Sequence, residues 1–431
     1  QFTFCSYNNC VEVVVMHTRG ALSSAWLVLA ALTCSALRPS EATVAEGCGE
    51  CLRAVGKPLF GKVGVELTKR NQNGGSGFAY SELKLLHRLA VLYRVGSPSA
   101  KSAITTFLGL NESCVSACQA LDDVIEKMTF GQQQITFGSR IYLQAGREYQ
   151  PHVSALGGVR HTDFTQDPQA VLSEINDGFR ALYGGSYSSY LEDNLDPQTD
   201  FFLQSGLKVD PSVFGPAERL TCPNIFRDLD GNDHRITWVN TTVNVSTGSL
   251  YRQPGDTKMA CFHIRIVRSV IHNGSLYMFY FQPIFELTDT DLTLKGECIQ
   301  YIFQNLTELI DVAIHERYSY GIVVRYDTFS FPLVDIGTDT DLKPILDTDM
   351  GDVFSREQIS ELYSGSRDSL NELRTWDNFY NAPENTQVTE EKTLLKYNRF
   401  LYSPFVFVIM DKATGIILKT GAYLRQKTSS A

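Results

Sequence analysis

From Phe405 the chain runs Phe-Val-Phe-Val-Ile-Met to residue 410, apolar at every position. A strand that is apolar on both faces belongs in the middle of a packed sheet. Asp411-Lys412-Ala413-Thr414-Gly415 follows, ending in the glycine that a tight hairpin needs for positive φ, and then Ile416-Ile417-Leu418. This is strand, turn, strand. Gln134 to Leu143 alternates apolar and polar side chains, as do Cys261 to Val267 and part of Gly321 to Phe331, and each predicts a strand. Phe60, Val63 and Leu67 recur at helical spacing within a segment ending in Lys69-Arg70. Two amphipathic stretches fill 83–110, with Ser97-Pro98 as the break between them and Ser102 as a cap; 170–182 predicts a further helix. Helices and strands are mixed without a βαβ rhythm, and no repeat, low-complexity tract or linker interrupts them. That predicts an α+β chain with one large domain.

The N-terminal part has a different pattern. Met16-His17-Thr18-Arg19 is charged, and 21–36 is a short apolar run ending in small residues. The run is too short to span a bilayer and reads as a secretory signal, cleaved after Ala36 or Ala42. The expected division is a non-native leader over 1–15, a signal peptide over 16–42, a tail over 43–58 and the folded domain over 59–431. No later run predicts a membrane helix. Secretion predicts paired cysteines. Cys48, Cys51, Cys114, Cys118, Cys222, Cys261 and Cys298 follow the signal; seven is odd, so one thiol stays free or joins another chain, and the connectivity stays open. Asn-x-Ser/Thr sequons at Asn111, Asn240, Asn244, Asn273 and Asn305 predict a glycosylated, extracellular protein with those sites at the surface.

Composition adds less. Of the 431 residues, 43% are hydrophobic and 11% aromatic, as in a globular protein, and the net charge of −10 argues against nucleic acid and against heparin as main partners. The eight histidines are dispersed and lack metal-ligand spacing, so no metal or other cofactor is expected. Asp228-Leu229-Asp230-Gly231-Asn232-Asp233 is oxygen-rich, but its glycine sits at the wrong offset for a calcium loop, and a polar surface turn is the better reading. No nucleophile elbow, phosphate loop or dinucleotide fingerprint is present, and no enzyme is expected.

The C-terminal order of Pro404-Phe405, apolar run, Thr414-Gly415, Ile416-Ile417-Leu418 and Gly421 resembles the signature of the serpins. So does Phe331-Pro332-Leu333-Val334-Asp335-Ile336, followed by Leu342-Lys343-Pro344-Ile345-Leu346 and Gly351-Asp352-Val353-Phe354-Ser355. Ala90 to Gly96 with Thr105 to Leu110, and Glu174 to Asp177 with Gly184-Gly185, resemble earlier segments in the family's order. The resemblance covers about 59–424 with gaps. It is weak over 201–305, where Phe201 to Val209 stands in place of the family's Asn-Ala motif and tryptophan. Tyr402 also replaces a polar residue of the signature. The resemblance implies about three sheets, eight or nine helices and an exposed loop before Phe405. In inhibitory members a protease cuts this loop, and the upstream part inserts into the main sheet as a strand. Insertion needs N–H donors and small side chains. Residues 376–387 read Trp-Asp-Asn-Phe-Tyr-Asn-Ala-Pro-Glu-Asn-Thr-Gln, so Phe379, Tyr380 and Pro383 depart from that requirement. Counting back from Phe405 puts the scissile region at Lys392, Thr393 and Leu394, with Lys396 as a second basic residue. The resemblance therefore implies a non-inhibitory member that works by binding or carriage, with a serine protease or a small apolar ligand as partner. The rivals are a working serine-protease inhibitor cut near Thr393-Leu394, and a precursor that releases a peptide.

Overall fold

The computed structural model describes residues 2–6, 9–13, 61–72, 75–108, 135–149, 153, 158–165, 167–183, 199, 201–251, 263–284, 292–341, 345, 374–380, 388–390 and 401–426. The chain forms two compact units, 1–44 and 45–431. In the first, β1 (Phe2–Ser6) pairs antiparallel with β2 (Asn9–Val13).

The second unit is α+β, with six helices among the described residues. In chain order these are α1 (61–71), β3 (Gly77–Tyr80), α2 (Glu82–Val95), α3 (Pro98–Leu108), β4 (Ile135–Gln144), β5 (Val159–Thr162), α4 (Pro168–Tyr183), β6 (Phe201–Val209), β7 (Ala217–Arg227), β8 (Asp233–Tyr251), β9 (His263–Ile271), β10 (Leu276–Pro283), α5 (Leu292–Gln304), α6 (Leu306–Ile314), β11 (Tyr320–Pro332), β12 (Asp335–Asp341), β13 (Arg374–Tyr380), β14 (Val388–Glu390), β15 (Phe405–Asp411) and β16 (Ile417–Tyr423). A nine-stranded sheet has the order β14-β7-β8-β9-β10-β15-β16-β3, with β11 also on β8. A three-stranded sheet runs β5-β4-β6, and β12 pairs with β13.

The strand read as apolar on both faces lies inside the large sheet. Every residue of β15 is buried, with β10 on one side and β16 on the other. The turn closes as its residues require. Gly415 has φ of 70°, the Asp411 carboxylate accepts from Thr414 N and Oγ1 at 2.7 Å each, and Asp411 N donates to Ile416 O at 2.9 Å. At Gly421 of β16 a Cβ would lie 2.1 Å from the Phe78 carbonyl and 2.6 Å from the Phe407 ring, so only glycine lets β3 approach.

The helical pair over 83–110 is present, but its second cap differs from the expectation. Ser97, not Ser102, accepts from Ala100 N at 3.1 Å, and Ser102 lies inside α3. Pro98, with its fixed φ and missing N–H, fixes the first helical position and so makes the preceding serine the cap. At 19 residues β8 is long enough to serve two neighbours: its first half pairs with β7, its second with β9, and β11 runs along its other edge.

Two cores result. The larger joins the inner face of the nine-stranded sheet to α2, α5 and α6. The smaller lies under α4, where Val171, Ile175 and Phe179 recur every four residues and meet Tyr142, Phe164 and Phe202 on the three-stranded sheet. Gln204 ties the two layers by accepting from the Tyr142 hydroxyl at 3.1 Å and donating to the Ile175 carbonyl at 3.2 Å.

Candidate functional site

The segment ahead of Phe405 begins as a strand. In β13, Asp377 lies opposite Thr338, Phe379 opposite Ile336 and Tyr380 opposite Asp335 of β12. β12 is itself anchored: Ile336 and Thr338 are buried, and the Thr338 hydroxyl accepts from Ala79 N of β3 at 2.8 Å. Phe379 and Tyr380, read from sequence as bulky departures in an inserting hinge, therefore belong to a strand that is already paired. Aromatic residues are among those enriched in strands. The stretch that would have to insert starts at residue 381. Pro383 lies in it, outside the described residues, as do Lys392, Thr393 and Leu394.

Between Pro383 and Lys392 the chain is paired again. Val388, Thr389 and Glu390 of β14 run parallel to Arg219, Leu220 and Thr221 of β7, at the outer edge of the large sheet. No sequence signal singled out this strand; its three residues are too few for a periodicity. On the other side of β13, β6 ends the three-stranded sheet. β6 and β13 touch without joining one hydrogen-bonded sheet.

The sequons fall into different settings. Asn244 is exposed on β8. Asn273 is exposed at the tip between β9 and β10, with a left-handed φ of 53°. Asn240 sits mid-strand in β8 between Glu218 of β7 and Ser330 of β11, and its Oδ1 accepts from the Ser330 hydroxyl at 3.0 Å. The Asn305 side-chain nitrogen, at the start of α6, donates to the Tyr301 carbonyl at 2.9 Å. Asn111 is outside the described residues.

The oxygen-rich segment 228–233 is the turn joining β7 to β8. All three of its carboxylates are engaged by the protein. Asp228 accepts from Asn232 N at 2.8 Å and contacts His234 Nε2 at 2.6 Å. Asp233 takes the Arg227 guanidinium through two bonds of 2.7 and 3.1 Å, and that hydrogen bond holds its carboxyl below the usual range. Asp230 receives Arg425. Among the described residues no group of three His, Cys, Asp or Glu side chains has the arrangement of a metal site.

The sheet order, the paired strand upstream of the loop and the β15–β16 hairpin together make this the serpin fold. Crystal structures of three proteins with that fold overlay on the chain. Protease nexin-1 with heparin aligns with a TM-score of 0.64 and 16% identity over 89% of this chain and 100% of its own. Uncleaved ovalbumin gives 0.63 and 15% over 86% and 98%. The thyroxine-binding globulin complex with thyroxine gives 0.63 and 13% over 86% and 98%. Identities this low mark the chain as divergent within the fold. No protein-family model and no curated protein sequence matches it.

Proposed function

We propose that this protein is a secreted, glycosylated serpin-fold protein that acts by binding or carriage and has no suicide-inhibitor activity. The observation that carries the reading is the content of the chain directly after β13. A strand inserting from there must pass Pro383, which offers no N–H to a central ladder. The pairing of Val388–Glu390 with β7 supports the same reading, because it holds part of the loop at a sheet edge on the far side of β8. Folded residues 59–431, a tail over 43–58, a signal over 16–42 and a leader over 1–15 complete the proposal. A disulfide at buried Cys298 supports an oxidising compartment. No helix among the described residues is long and apolar enough to cross a membrane.

The partner in this reading is a small apolar ligand. Of the neighbours in fold, one was crystallised with thyroxine and another with heparin. The second removes the ground for excluding heparin: a net charge of −10 describes the whole chain, and a shared fold leaves room for a local basic surface. Heparin is therefore not excluded as a partner.

Incubation with trypsin-like and chymotrypsin-like proteases tests the proposal. We expect cleavage without an SDS-stable covalent adduct; an adduct overturns it. One observation favours the rival reading, inhibition through Lys392, Thr393 and Leu394. β6 and β13 present neighbouring edges that are not joined, which is where an additional strand would enter. In that reading the adduct forms and its junction maps to Thr393-Leu394. Release of a discrete peptide from the same loop, read by mass spectrometry, identifies the precursor alternative.

A further inference from the structure

The tip between β9 and β10 carries a dipeptide with chemistry of its own. Asn273-Gly274 is the Asn-Gly pair among the described residues; Asn73-Gly74 lies outside them. His272 and Asn273 both stand in the left-handed region, with φ of 51° and 53°, and Gly274 follows with φ of 94°. That region is unfavourable for residues with a Cβ, so the tip loses little when it rearranges. Asn273 is exposed, and its amide forms no hydrogen bond with the described residues. A Cβ built on Gly274 would meet nothing within 4 Å, so its backbone nitrogen lies beside open space. The turn is held instead by Ser275, whose N–H and hydroxyl donate to the His272 carbonyl at 3.1 and 2.9 Å, and whose carbonyl accepts from Lys412 N at 2.9 Å.

Asn244 makes the contrast. It is exposed as well, but its successor is the buried, β-branched Val245, which is paired with Ser269 of β9 and Tyr326 of β11. A nitrogen fixed in a sheet beside a branched side chain cannot swing toward the preceding amide. Asparagine is among the thermally labile residues, and a following glycine leaves its carboxamide the least shielded.

We propose that Asn273 deamidates spontaneously in every molecule that carries no glycan there. The Gly274 nitrogen gives its proton to solvent base and attacks Asn273 Cγ. A C–N bond closes a succinimide ring, the Cγ–Nδ2 bond breaks, and Nδ2 takes a proton from water and leaves as ammonia. Water then adds to either ring carbonyl and the ring C–N bond breaks, which leaves aspartate or isoaspartate. The sum is water consumed and ammonia released, with no oxidant or reductant. The product gains a negative charge, and its isoaspartate form gains a backbone methylene at the tip. Nδ2 is also the atom to which a glycan is attached, so the two fates compete for a single atom and the glycan protects. Deamidation goes beyond the reading above and holds without it; the protection rests on the glycosylation in that reading.

Protein from a host that adds no glycan, aged at neutral and at mildly alkaline pH, tests this by tryptic mapping and isoaspartyl methyltransferase labelling. Peptide 269–295, where Asn273 is the single asparagine, should convert at least roughly tenfold faster than peptide 236–252, which holds Asn240 and Asn244, and faster at the higher pH. Gly274→Ala should slow the conversion, with circular dichroism showing that the variant is folded. Equal rates in the two peptides overturn the proposal, as does conversion to aspartate without isoaspartate, which would mean direct hydrolysis. Ser275→Ala keeps the Asn-Gly pair and removes the sequon. From a secretory host it should convert while the glycan-bearing wild type stays intact; conversion of that wild type at the same rate overturns the protection. A wild type without glycan at Asn273 that still deamidates would sink the glycosylation at this site and leave the deamidation standing, so the two failures are distinguishable.

Discussion

Glu82, the first residue of α2, has both carboxylate oxygens buried and unpartnered. Burial raises its carboxyl well above the usual value of 4.5, against the smaller attraction of the helix N-terminus. A carboxyl whose folded pKa is raised stabilises the fold below its unfolded pKa, and that contribution is lost as pH rises through the folded value. Stability of the wild type should therefore fall as pH rises from about 4.5. Glu82→Met should flatten this dependence and stabilise the protein at pH 7; urea melts at several pH values read both. A wild-type melt that does not change with pH on the alkaline side of 4.5 contradicts the argument. The sequons give a second residue-scale prediction. Transfer of a glycan needs a free side-chain nitrogen on an accessible backbone. Asn244 and Asn273 meet that condition, whereas Asn240 is held mid-strand and the Asn305 nitrogen is engaged. Glycopeptide mass spectrometry of protein from a secretory host should find glycan at the first two and little at the others. The sequon is a three-residue motif and carries no record of what lies beside it in the fold, which is why all five looked alike in the sequence.

At the scale of elements, Arg425 just beyond β16 joins three segments distant in sequence. Its guanidinium, 7% exposed as a residue, bonds the Asp230 carboxylate and the carbonyls of Asn71, Gln72 and Gly75. Replacing it takes a donor from the Gln72 and Gly75 carbonyls, whereas the Asn71 carbonyl keeps the Gly75 N–H at 3.2 Å. Arg425→Met should cost roughly 2–4 kcal/mol in urea unfolding, while Arg425→Lys recovers only part, because an ammonium cannot reproduce the planar fork. Full stability in the Met variant would show that the cluster contributes nothing. The contrast with the neighbouring hairpin shows what sequence can carry. The turn at 411–415 was legible because its apolar run, its capping aspartate and its glycine are contiguous. Arg425 was silent, since its partners lie in two parts of the chain, 71–75 and Asp230, both far from it in sequence. The pairing at Phe379 and Tyr380 was silent for a related reason. Counting back from Phe405 sets a distance along the chain but does not show that β12 pairs with residues 374–380.

Across the whole molecule, the question is whether the loop between β13 and β15 can become a strand between β6 and β13. Two forces oppose each other. A strand added to the interior gains a double ladder of hydrogen bonds and buried side chains, the source of the large stabilisation that follows insertion. Against it stands an imide in the path: at Pro383 one ladder bond is missing and the opposing carbonyl loses its donor. Opposing it as well is the existing pairing of Val388–Glu390 with Arg219–Thr221, which must break before that part of the loop can move. If these hold, limited proteolysis within 391–400 yields a nicked protein whose melting temperature stays within a few degrees of the intact one. Insertion would instead raise it by tens of degrees, since a stability gain of even 1 kcal/mol moves the melting point of a chain this size by roughly 2 °C. The variant Pro383→Ala separates the two obstacles. If the proline alone prevents insertion, the nicked variant melts far higher than the nicked wild type. If the edge pairing also contributes, the rise is small until Val388→Gly with Thr389→Gly weakens that pairing while keeping every N–H donor. A nicked wild type that already shows the large rise would mean that neither obstacle operates, and the protein would then have to be read as a working inhibitor.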